Sequence, residues 1–501
     1  MNLVDILELN ARKFGQRDCL RYNGQSLTFA QLREQCGRAA GLLQSWGVGH
    51  GDRVALMSYN TPSFVIAYYG ILMAGGVVVP VNHKLQAPEV DYILGHSQAK
   101  LLLIDGGLAP VAEHLSSAVD KVAVDSEVEG LESFDAALAG APEPQPVAVA
   151  QDDLAQILYT SGTTGKPKGC MHTHQTVLFA GITGAMAMKM DHRDILLMAM
   201  PIWHSSPLNN WFMGIQFVGG CTVLVREYHP LHFLQAVQDE KCTIYFGAPI
   251  SYLAPLQMVP NFDEFDLSSM RCWIYGGGPI AGEVATQLMK KYHSENFYQV
   301  YGMTEAGPTG TTLFPWEQIS KAGSIGAQAL PMADLKVMVS ESQEAGAGEA
   351  GEIWLKAPSM MKGYLDDPQA TEDAFEDGWY KTGDVARVDQ DGYLFIVDRS
   401  KDMIVTGGEN VYSKEVEDAL AGHPGVMEAA VLGKPHPEWG ETVVAFVVPQ
   451  EGQALDPEEL AGFLTDKLAR YKIPRTFEVV DALPHTPTGK IMKYQLRQDL
   501  A

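Results

Sequence analysis

The sequence lacks the features of a membrane-spanning, secreted or disulfide-linked protein. It contains no run of about 18 apolar residues, so it predicts no transmembrane helix. Its first residues lack the basic and apolar segments of a secretory signal, and its last three are not a peroxisomal tripeptide. The six cysteines include no C-x-x-C pair, which disfavours a zinc site and a disulfide framework. We therefore expect free thiols and a cytoplasmic location.

Basic side chains are also scarce. The chain has 36 Lys and Arg residues against 61 Asp and Glu residues, giving a formal charge of −25. Binding to nucleic acid or to an anionic membrane surface depends on clustered positive charge, so neither is expected. A local basic pocket for a small phosphate ligand remains compatible with this charge.

What the sequence does have is an alternation of apolar runs and amphipathic stretches over its first three-fifths. The length of 501 residues suggests about three structural units. Predicted strands cover 54–57, 77–81, 101–104, 222–225, 243–246 and 272–275, and predicted helices cover 62–74, 231–240 and 282–292. Continuous apolar strands alternating with helices are typical of parallel sheets covered on both faces. The predicted fold class is α/β.

The later part of the chain has a different pattern. Residues 323–397 contain glycine-punctuated strands and a hairpin turn at Asp391-Gly392, which predicts a small antiparallel barrel or sheet. Beyond Arg399 the pattern predicts helices over 413–421 and 457–468 and strands over 427–433 and 442–448. We interpret this last fifth as a separate α+β domain.

The strongest local motif is Tyr159–Gly169, which reads YTSGTTGKPKG and follows the strand-like run 155–158. Its glycines allow close approach of the backbone to a ligand. Its hydroxyl groups and backbone N–H groups can donate to phosphate oxygens, and two lysines supply positive charge. It is not a Walker motif, because only two residues separate Gly162 from Gly165. A flexible polar loop is the alternative, and so restricted a composition after a strand disfavours it.

This loop resembles the signature of the adenylate-forming superfamily, which includes acyl-CoA synthetases, nonribosomal-peptide adenylation domains and beetle luciferases. The other motifs of that family follow in its order between about residues 155 and 491. The resemblance implies a large N-terminal adenylation domain, residues 1–399, of parallel α/β sheets with a small β-barrel-like subdomain. It also implies a mobile α+β C-terminal lid domain, residues 401–501.

The resemblance implies a set of nucleotide-binding residues. They are Thr160, Ser161, Gly162, Thr163, Thr164 and Lys168 in the loop, Gly276, Gly277, Gly278 and Tyr301 beside adenine, and Asp384 and Arg399 at ribose and phosphate. In the segment Tyr301–Ala306 (YGMTEA), Thr304 would bond the α-phosphate and Glu305 would bind Mg²⁺. Carboxylate oxygens are hard ligands, and Mg²⁺ commonly pairs one carboxylate with substrate phosphates.

The resemblance also assigns residues to the acid and thiol sides. The aromatic or histidine side chain of the segment Pro201–His204 would line the acyl pocket and move to open a thiol channel, which points to His204. Lys401 occupies the family's hinge position, and Gly407 and Gly408 would line the pantetheine tunnel. Lys490 resembles the mobile catalytic lysine that bridges the attacking carboxylate and the α-phosphate. Taken singly, these residues would be a core histidine, a solvated charge cluster and turn residues.

The expected reaction uses ATP, Mg²⁺ and coenzyme A. A carboxylic acid would form acyl-AMP and pyrophosphate, and the acyl group would then pass to coenzyme A. The predicted acid pocket, formed by segments 203–210, 246–250, 276–278 and 300–303, is mostly apolar. A medium-chain aliphatic or aromatic monocarboxylic acid fits it best. No sequence feature marks an interface, so a homodimer is left open.

Four alternatives compete with this function. An acyl-AMP ligase that loads a carrier protein shares every ATP motif, although no insertion that would block lid rotation is evident. A nonribosomal adenylation domain would be expected to carry an Asp after His204, where this chain has SSPLNN. A luciferase-like oxygenase is disfavoured by the absence of a peroxisomal ending. A non-catalytic nucleotide-binding protein is disfavoured by the intact set Lys490, Glu305, Asp384 and Arg399.

Overall fold

Strands and helices alternate along most of the chain. The computed structural model describes residues 1–160, 167–278, 280, 282–399, 402–406, 409–436, 439–465, 467–468, 470–485 and 491–500. Strands β1 to β16 are Asp18–Tyr22, Gln25–Thr28, Arg53–Met57, Val77–Pro80, Leu101–Asp105, Asp120–Val124, Glu132–Ser133, Leu154–Thr160, Lys168–Thr173, Ile195–Met198, Cys221–Leu224, Ile244–Gly247, Cys272–Gly276, Phe297–Tyr301, Thr311–Leu313 and Gln328–Ala329. Strands β17 to β28 are Asp334–Ser340, Gln343–Glu344, Ala350–Lys356, Gly363–Tyr364, Phe375–Glu376, Trp379–Val388, Leu394–Arg399, Ile404–Thr406, Glu409–Val411, Val426–His436, Gly440–Pro449 and Thr476–Val479.

Helices α1 to α15 are Leu3–Phe14, Phe29–Ser45, Pro62–Met73, Ala87–Ser97, Ala109–Glu113, Phe134–Leu138, His174–Ala187, Met213–Val218, Pro230–Glu240, Pro249–Met258, Gly282–Lys291, Pro368–Ala374, Ser413–Ala421, Pro457–Thr465 and Lys493–Asp499. Single turns of 3-10 helix lie at Gly106–Leu108, Phe262–Glu264, Thr304–Ala306, Pro315–Glu317 and Arg470–Lys472. A π-helix spans Ser206–Phe212 and runs directly into α8. None of the described helices is both long enough and apolar enough to cross a membrane.

The first sheet is built on apolar runs that the sequence identifies as buried strands. Its strand order is β20-β9-β8-β4-β3-β5-β6-β7, and β3 pairs in parallel with both β4 and β5. Every residue of β4 and β5 is buried, as expected for parallel strands covered on both faces. Helix α3 begins at Pro62, and its N-cap Thr61 accepts a hydrogen bond from the Phe64 N–H.

The second sheet places the ends of several parallel strands at one edge. Its order is β16-β15-β14-β13-β12-β10-β11-β1-β2, and the neighbours β10 to β14 pair in parallel. A core rich in aromatic residues packs on it, including Phe233, Tyr252, Trp273 and Phe297. In open parallel sheets, ligands bind beyond the carboxyl ends of the strands. The segments that follow β13 and β14 are therefore the natural place to look for a site.

The chain divides into two compact units. The first contains residues 1–160, 167–335 and 355–380, and the second contains 336–354 and the described residues of 381–500. In the second unit, strands β24 to β28 form a sheet of order β25-β24-β27-β26, with β28 paired to β27. Helices α13 and α14 contribute buried side chains to the core of this unit, including Val416, Leu420, Leu460 and Leu464.

A further sheet follows residue 334, in the order β18-β17-β19-β22-β21, with β23 paired to β22. The predicted turn at Asp391-Gly392 joins β22 to β23, and Gly392 has φ +85°, a conformation that favours glycine.

The predicted fold class is confirmed, since parallel α/β sheets form the first unit and an α+β sheet forms much of the second. The expectation of free thiols is confirmed as well, because all six cysteines are unpaired and buried. The predicted helix 457–468 is too long, because α14 ends at Thr465. Leu468 still packs on the core of the second unit, and its N–H donates to the Leu464 carbonyl, so the apolar spacing reflects packing beyond the helix.

Candidate functional site

The carboxyl ends of β13 and β14 bring two predicted motifs side by side. The two strands pair in parallel with Gly276 opposite Val300, so the glycine segment 276–278 lies next to the segment Tyr301–Ala306. A Cβ on Gly276 would lie 3.0 Å from the Val300 carbonyl oxygen and 3.2 Å from the Phe246 ring. A Cβ on Gly302 would lie 2.3 Å from the Pro308 carbonyl oxygen, so that turn accepts only glycine. Close backbone packing thus explains the glycines at both positions.

Thr304 is contacted by two buried side chains from distant parts of the sequence. The Ser205 and Thr304 hydroxyl oxygens are 2.9 Å apart. His172 Nε2 lies 2.9 Å from the Thr304 carbonyl oxygen, which can only accept, so Nε2 carries the proton. His172 is fully buried, and burial lowers its pKa to about 4, which keeps the ring neutral. Thr304 is therefore fixed both at its carbonyl and at its hydroxyl.

Glu305 accepts a hydrogen bond from Tyr364, which is buried next to Tyr380. The Tyr364 hydroxyl donates to Glu305 Oε1 at 3.1 Å, and the Tyr380 hydroxyl lies 3.4 Å from that of Tyr364. Burial, and then the Glu305 charge, raise the pKa of both tyrosines, so both stay protonated. Lys168 Nζ sits 4.8 Å from the centre of the Tyr364 ring. This arrangement links the lysine of the predicted phosphate loop to Glu305 through one side chain.

The residues at Glu305 fit a magnesium ion. A carboxylate offers about four acceptor positions, so the bond from Tyr364 is compatible with cation binding through the same group. Mg²⁺ is commonly held by one or two carboxylates together with substrate phosphates. Among the described residues, no group of three or more His, Cys, Asp or Glu side chains could hold a metal ion.

The segment Pro201–His204 is held in place next to Thr304. Asn60 donates to the carbonyl groups of Met198, Met200 and Val225 and accepts from the Ile202 N–H at 2.8 Å.

Within this segment the two rings differ in exposure. The buried Trp203 indole donates to His83 Nδ1 at 2.9 Å, whereas the adjacent His204 is exposed. Trp203 is therefore fixed by this hydrogen bond, and the exposed His204 ring lies against the Trp203 ring with centroids 5.7 Å apart.

A π-helix begins immediately after this segment. The run Ser206–Phe212 forms i→i+5 turns, a rare geometry that is frequent at functional sites. Every residue from Pro207 to Phe212 is buried, and the Trp211 ring stacks on that of Phe246 with centroids 5.4 Å apart. The π-helix thus carries an aromatic wall towards the glycine segment that follows β13.

The other predicted site residues lie in the first unit, in the second unit or outside the described residues. Thr160 and Lys168 lie opposite each other at the ends of β8 and β9, while Ser161, Gly162, Thr163 and Thr164 lie outside the described residues. In the second unit, Asp384 is buried and pairs in the β22–β23 ladder opposite Arg399. Lys401, Gly407, Gly408 and Lys490 lie outside the described residues. The structure therefore brings together Lys168, Glu305, Thr304 and the glycine segment in one unit, and Asp384 with the Arg399 backbone in the other.

The sequence did not predict the contacts that His172, Ser205 and Tyr364 make in this site, although Ser205 lies in the predicted acid-pocket segment 203–210. His172 and Ser205 contact Thr304 from 132 and 99 residues away, and Tyr364 contacts Glu305 from 59 residues away. Ser205 is adjacent to a recognised motif, which is a weak local signal. Nothing in the sequence near His172 or Tyr364 indicates such contacts.

The buried histidines predict that acid destabilises the protein. Burial lowers the pKa of His83, His172 and His174 from 6.5 to about 4 in each case. Between pH 6.5 and about 4 the unfolded chain binds more protons, so the free energy of unfolding falls as the pH falls through that window. Each histidine adds at most about 1.4 kcal/mol per pH unit. Urea unfolding at a series of pH values measures this slope.

The variant His172→Gln should reduce the dependence of the free energy of unfolding on pH by the contribution of one histidine. The substitution His232→Gln, at an exposed position, is the matched control. A slope that His172→Gln leaves unchanged would contradict the assignment of a neutral, buried ring at this position.

Known proteins and families match the chain over most of its length. A family model described as AMP-binding enzyme matches residues 7–365, and one described as AMP-binding enzyme C-terminal domain matches residues 415–490. A feruloyl-CoA synthase from Amycolatopsis sp is 36% identical over 97% of this chain and 97% of that protein. A fatty acid–acyl-carrier-protein ligase from Streptomyces coeruleorubidus is 36% identical over 99% of this chain and 96% of its own.

Among solved structures, o-succinylbenzoate CoA synthetase from Bacillus subtilis in complex with its acyl-adenylate intermediate superposes with a TM-score of 0.88. The sequences are 31% identical, and the match covers 98% of this chain and 97% of that one.

Proposed function

Because this chain belongs to the AMP-binding enzyme family and is an AMP-forming acyl-CoA synthetase, we propose that its acid is a medium-chain aliphatic or aromatic monocarboxylate. The observation that carries this proposal is the apolar wall made by Trp211, Phe246 and Val300 beside Gly276. A flat ring or an alkyl chain gains free energy from such a surface. The four segments predicted to line the pocket contain no arginine or lysine that could pair with a second carboxylate.

In the adenylation step, the acid's carboxylate attacks the α-phosphorus of ATP and pyrophosphate leaves. Such phosphoryl transfer depends on positioning and on neutralising charge rather than on covalent help from the protein. Lys168 supplies positive charge beside Tyr364, and the Thr304 hydroxyl supplies a hydrogen bond to the α-phosphate. Glu305 would hold Mg²⁺, which when bound neutralises charge on the phosphates. Each of these groups is aimed at charge that grows in the transition state.

In the thioester step, the thiol of coenzyme A attacks the acyl carbon of acyl-AMP and AMP leaves. His204 is exposed whereas Trp203 is fixed by His83, so movement of the His204 side chain is the route by which the thiol would enter. Lys490 belongs to the adenylation step, Asp384 would bind the ribose, and Arg399 would contact ribose and phosphate. We place the enzyme in the cytoplasm, since its six unpaired, buried cysteines suit a reducing compartment. We retain a division into an adenylation domain, 1–399, and a lid, 401–501, as part of this proposal.

The direct test follows pyrophosphate, AMP and thioester together while a panel of acids is supplied with ATP, Mg²⁺ and coenzyme A. We expect AMP and acyl-CoA in equal amounts with one class of monocarboxylic acid. Matched pairs such as octanoate and octanedioate isolate the effect of a second carboxylate. Preference for the dicarboxylate, or for acetate, would overturn the assignment of the acid class.

A second candidate function is loading of a carrier protein. The similarity to a fatty acid–acyl-carrier-protein ligase favours it, because that relative covers nearly the whole chain. The same assay separates the two functions. Release of pyrophosphate with acyl-AMP but no acyl-CoA, followed by transfer of the acyl group to a phosphopantetheinylated carrier protein, would make the carrier the acceptor in place of coenzyme A.

Replacing Lys401 with proline is expected to retain adenylation and to abolish thioester formation. A hinge residue absorbs a change in backbone dihedral angles, and proline fixes φ near −65°. Pyrophosphate exchange measures the first half-reaction, and conversion of supplied acyl-AMP by coenzyme A measures the second. The control is Lys401→Ala, which removes the same side chain without fixing φ and should not separate the two half-reactions. Full thioester formation by Lys401→Pro would rule out a hinge at this residue.

A further inference from the structure

The contact between Ser205 and Thr304 joins the acid side of the site to the phosphate side. Ser205 directly follows His204 in the acyl-pocket segment, and its hydroxyl lies 2.9 Å from that of Thr304. We propose that Ser205 is a positioning residue, which orients the Thr304 hydroxyl so that its proton points at the α-phosphate. This inference rests on the proposed adenylation function and gives Ser205, a residue of the predicted acid pocket, a role at the phosphate side.

Counting protons fixes the direction of this hydrogen bond when ATP is bound. Each hydroxyl has one proton to donate and can accept through its lone pairs. A phosphate oxygen only accepts, so Thr304 must donate to it and can then only accept from Ser205. Ser205 is 3% exposed, so solvent does not compete for its proton. The resulting chain runs from the Ser205 O–H to Thr304 Oγ1, and from the Thr304 O–H to the phosphate.

The backbone at Thr304 is held by contacts on both sides. The neutral His172 ring donates to the Thr304 carbonyl, and His172 belongs to β9, which pairs with both β8 and β20. The turn is closed by Gly307 at φ +72°, where a Cβ would lie 2.2 Å from the Ser359 carbonyl oxygen.

With the backbone held on both sides, the remaining freedom of Thr304 is rotation of its side chain between staggered rotamers. The Ser205 hydroxyl selects one of them.

The position of Ser205 gives this contact a second consequence. Ser205 immediately precedes the π-helix, whose buried residues include Trp211 of the apolar wall. The Leu208 N–H donates to the His204 carbonyl at 3.0 Å, which ties the start of this element together. The element that presents an aromatic surface to the acid therefore also sets the group that contacts the α-phosphate.

Ser205→Ala tests the inference in the full-length enzyme by pyrophosphate exchange. We expect kcat for exchange to fall about tenfold, as for loss of one hydrogen bond made in the transition state. The KM for ATP should change much less, because the rest of the nucleotide site is intact. Ser205→Cys, which keeps the size but offers only a weak donor, should shift kcat in the same direction.

A double-mutant cycle with Thr304→Val distinguishes positioning from a structural role. If Ser205 acts through Thr304, Ser205→Ala should cost nothing further once the threonine hydroxyl is gone. The matched control is Ser63→Ala, because the buried Ser63 hydroxyl donates to Asp135 Oδ1 at 2.6 Å and lies outside the segments of the predicted acid and nucleotide sites. That control should lower the melting temperature and leave kcat for exchange near that of the unchanged enzyme.

The outcomes separate this inference from the function on which it rests. Normal kcat in a folded Ser205→Ala enzyme, or an equal loss in the Thr304→Val background, overturns the role of Ser205 alone. A rise in the KM for ATP without a fall in kcat also overturns it. If the wild-type protein catalyses no pyrophosphate exchange with any acid, the proposed function is overturned and this inference with it.

Discussion

Replacing Lys490 with alanine is expected to abolish acyl-AMP formation, while thioester formation from supplied acyl-AMP largely survives. Lys490 lies outside the described residues, and its role is inferred from the motif Pro487–Ile491 (PTGKI). A lysine that bridges the attacking carboxylate and the α-phosphate stabilises charge only in the first half-reaction. Loss of such a charge-stabilising group lowers the rate by on the order of 10³-fold. Pyrophosphate exchange and conversion of synthetic acyl-AMP by coenzyme A measure the two halves separately.

Lys467→Ala is the matched control for this experiment. It removes the same charge from an exposed position in the same unit, where Lys467 contacts the Phe463 ring. Both half-reactions should continue in that variant. Equal loss of both half-reactions in a folded Lys490→Ala enzyme would refute the division of labour.

Replacing Glu305 with glutamine is expected to reduce adenylation by roughly 10²-fold and to raise the Mg²⁺ concentration needed for half-maximal exchange. The substitution removes the negative charge and leaves a carbonyl oxygen in place to accept from Tyr364, so the local packing should persist. Titration of Mg²⁺ in the exchange assay, and of MgATP by intrinsic tryptophan fluorescence, gives two independent readouts.

Glu283→Gln makes the same chemical change at an exposed position on α11 and serves as the control. It should leave the Mg²⁺ dependence unchanged. If Glu305→Gln also left it unchanged, Glu305 would not be the magnesium ligand.

The sequence predicted strands and helices well where burial and hydrogen bonding agree with local composition. The apolar run 77–81 forms β4 to within one residue, because a parallel strand buried on both faces needs an uninterrupted apolar sequence. Helix α3 was equally predictable, since its N-cap Thr61 and its Pro62 are local sequence signals for a helix start. The predicted end of α14 was wrong because apolar spacing indicates which side chains are buried. Leu468 packs on the core although the helix ends before it.

The site was predictable only as far as its motifs are contiguous. Thr304 and Glu305 lie in one short segment, so the motif predicts both as site residues, and the strand order places Gly276 beside that segment. The partners of Thr304 and Glu305 come from strands and turns distant in sequence, and their roles arise from tertiary contacts alone. The π-helix was not predicted either, because its seven residues are too few to show a helical apolar period.

Because Ser206–Phe212 is a π-helix, the geometry of the site depends on the number of residues in this segment. Deleting one residue from it would restore ordinary α-helical turns. The residues on one side of the deletion would then rotate by about 100° and shift by about 1.5 Å relative to the other side. Such a change would redirect the Ser205 hydroxyl and the Trp211 ring at once. A single insertion or deletion in this segment would therefore change acid preference by a large step, whereas side-chain substitutions in the pocket would change it by small ones.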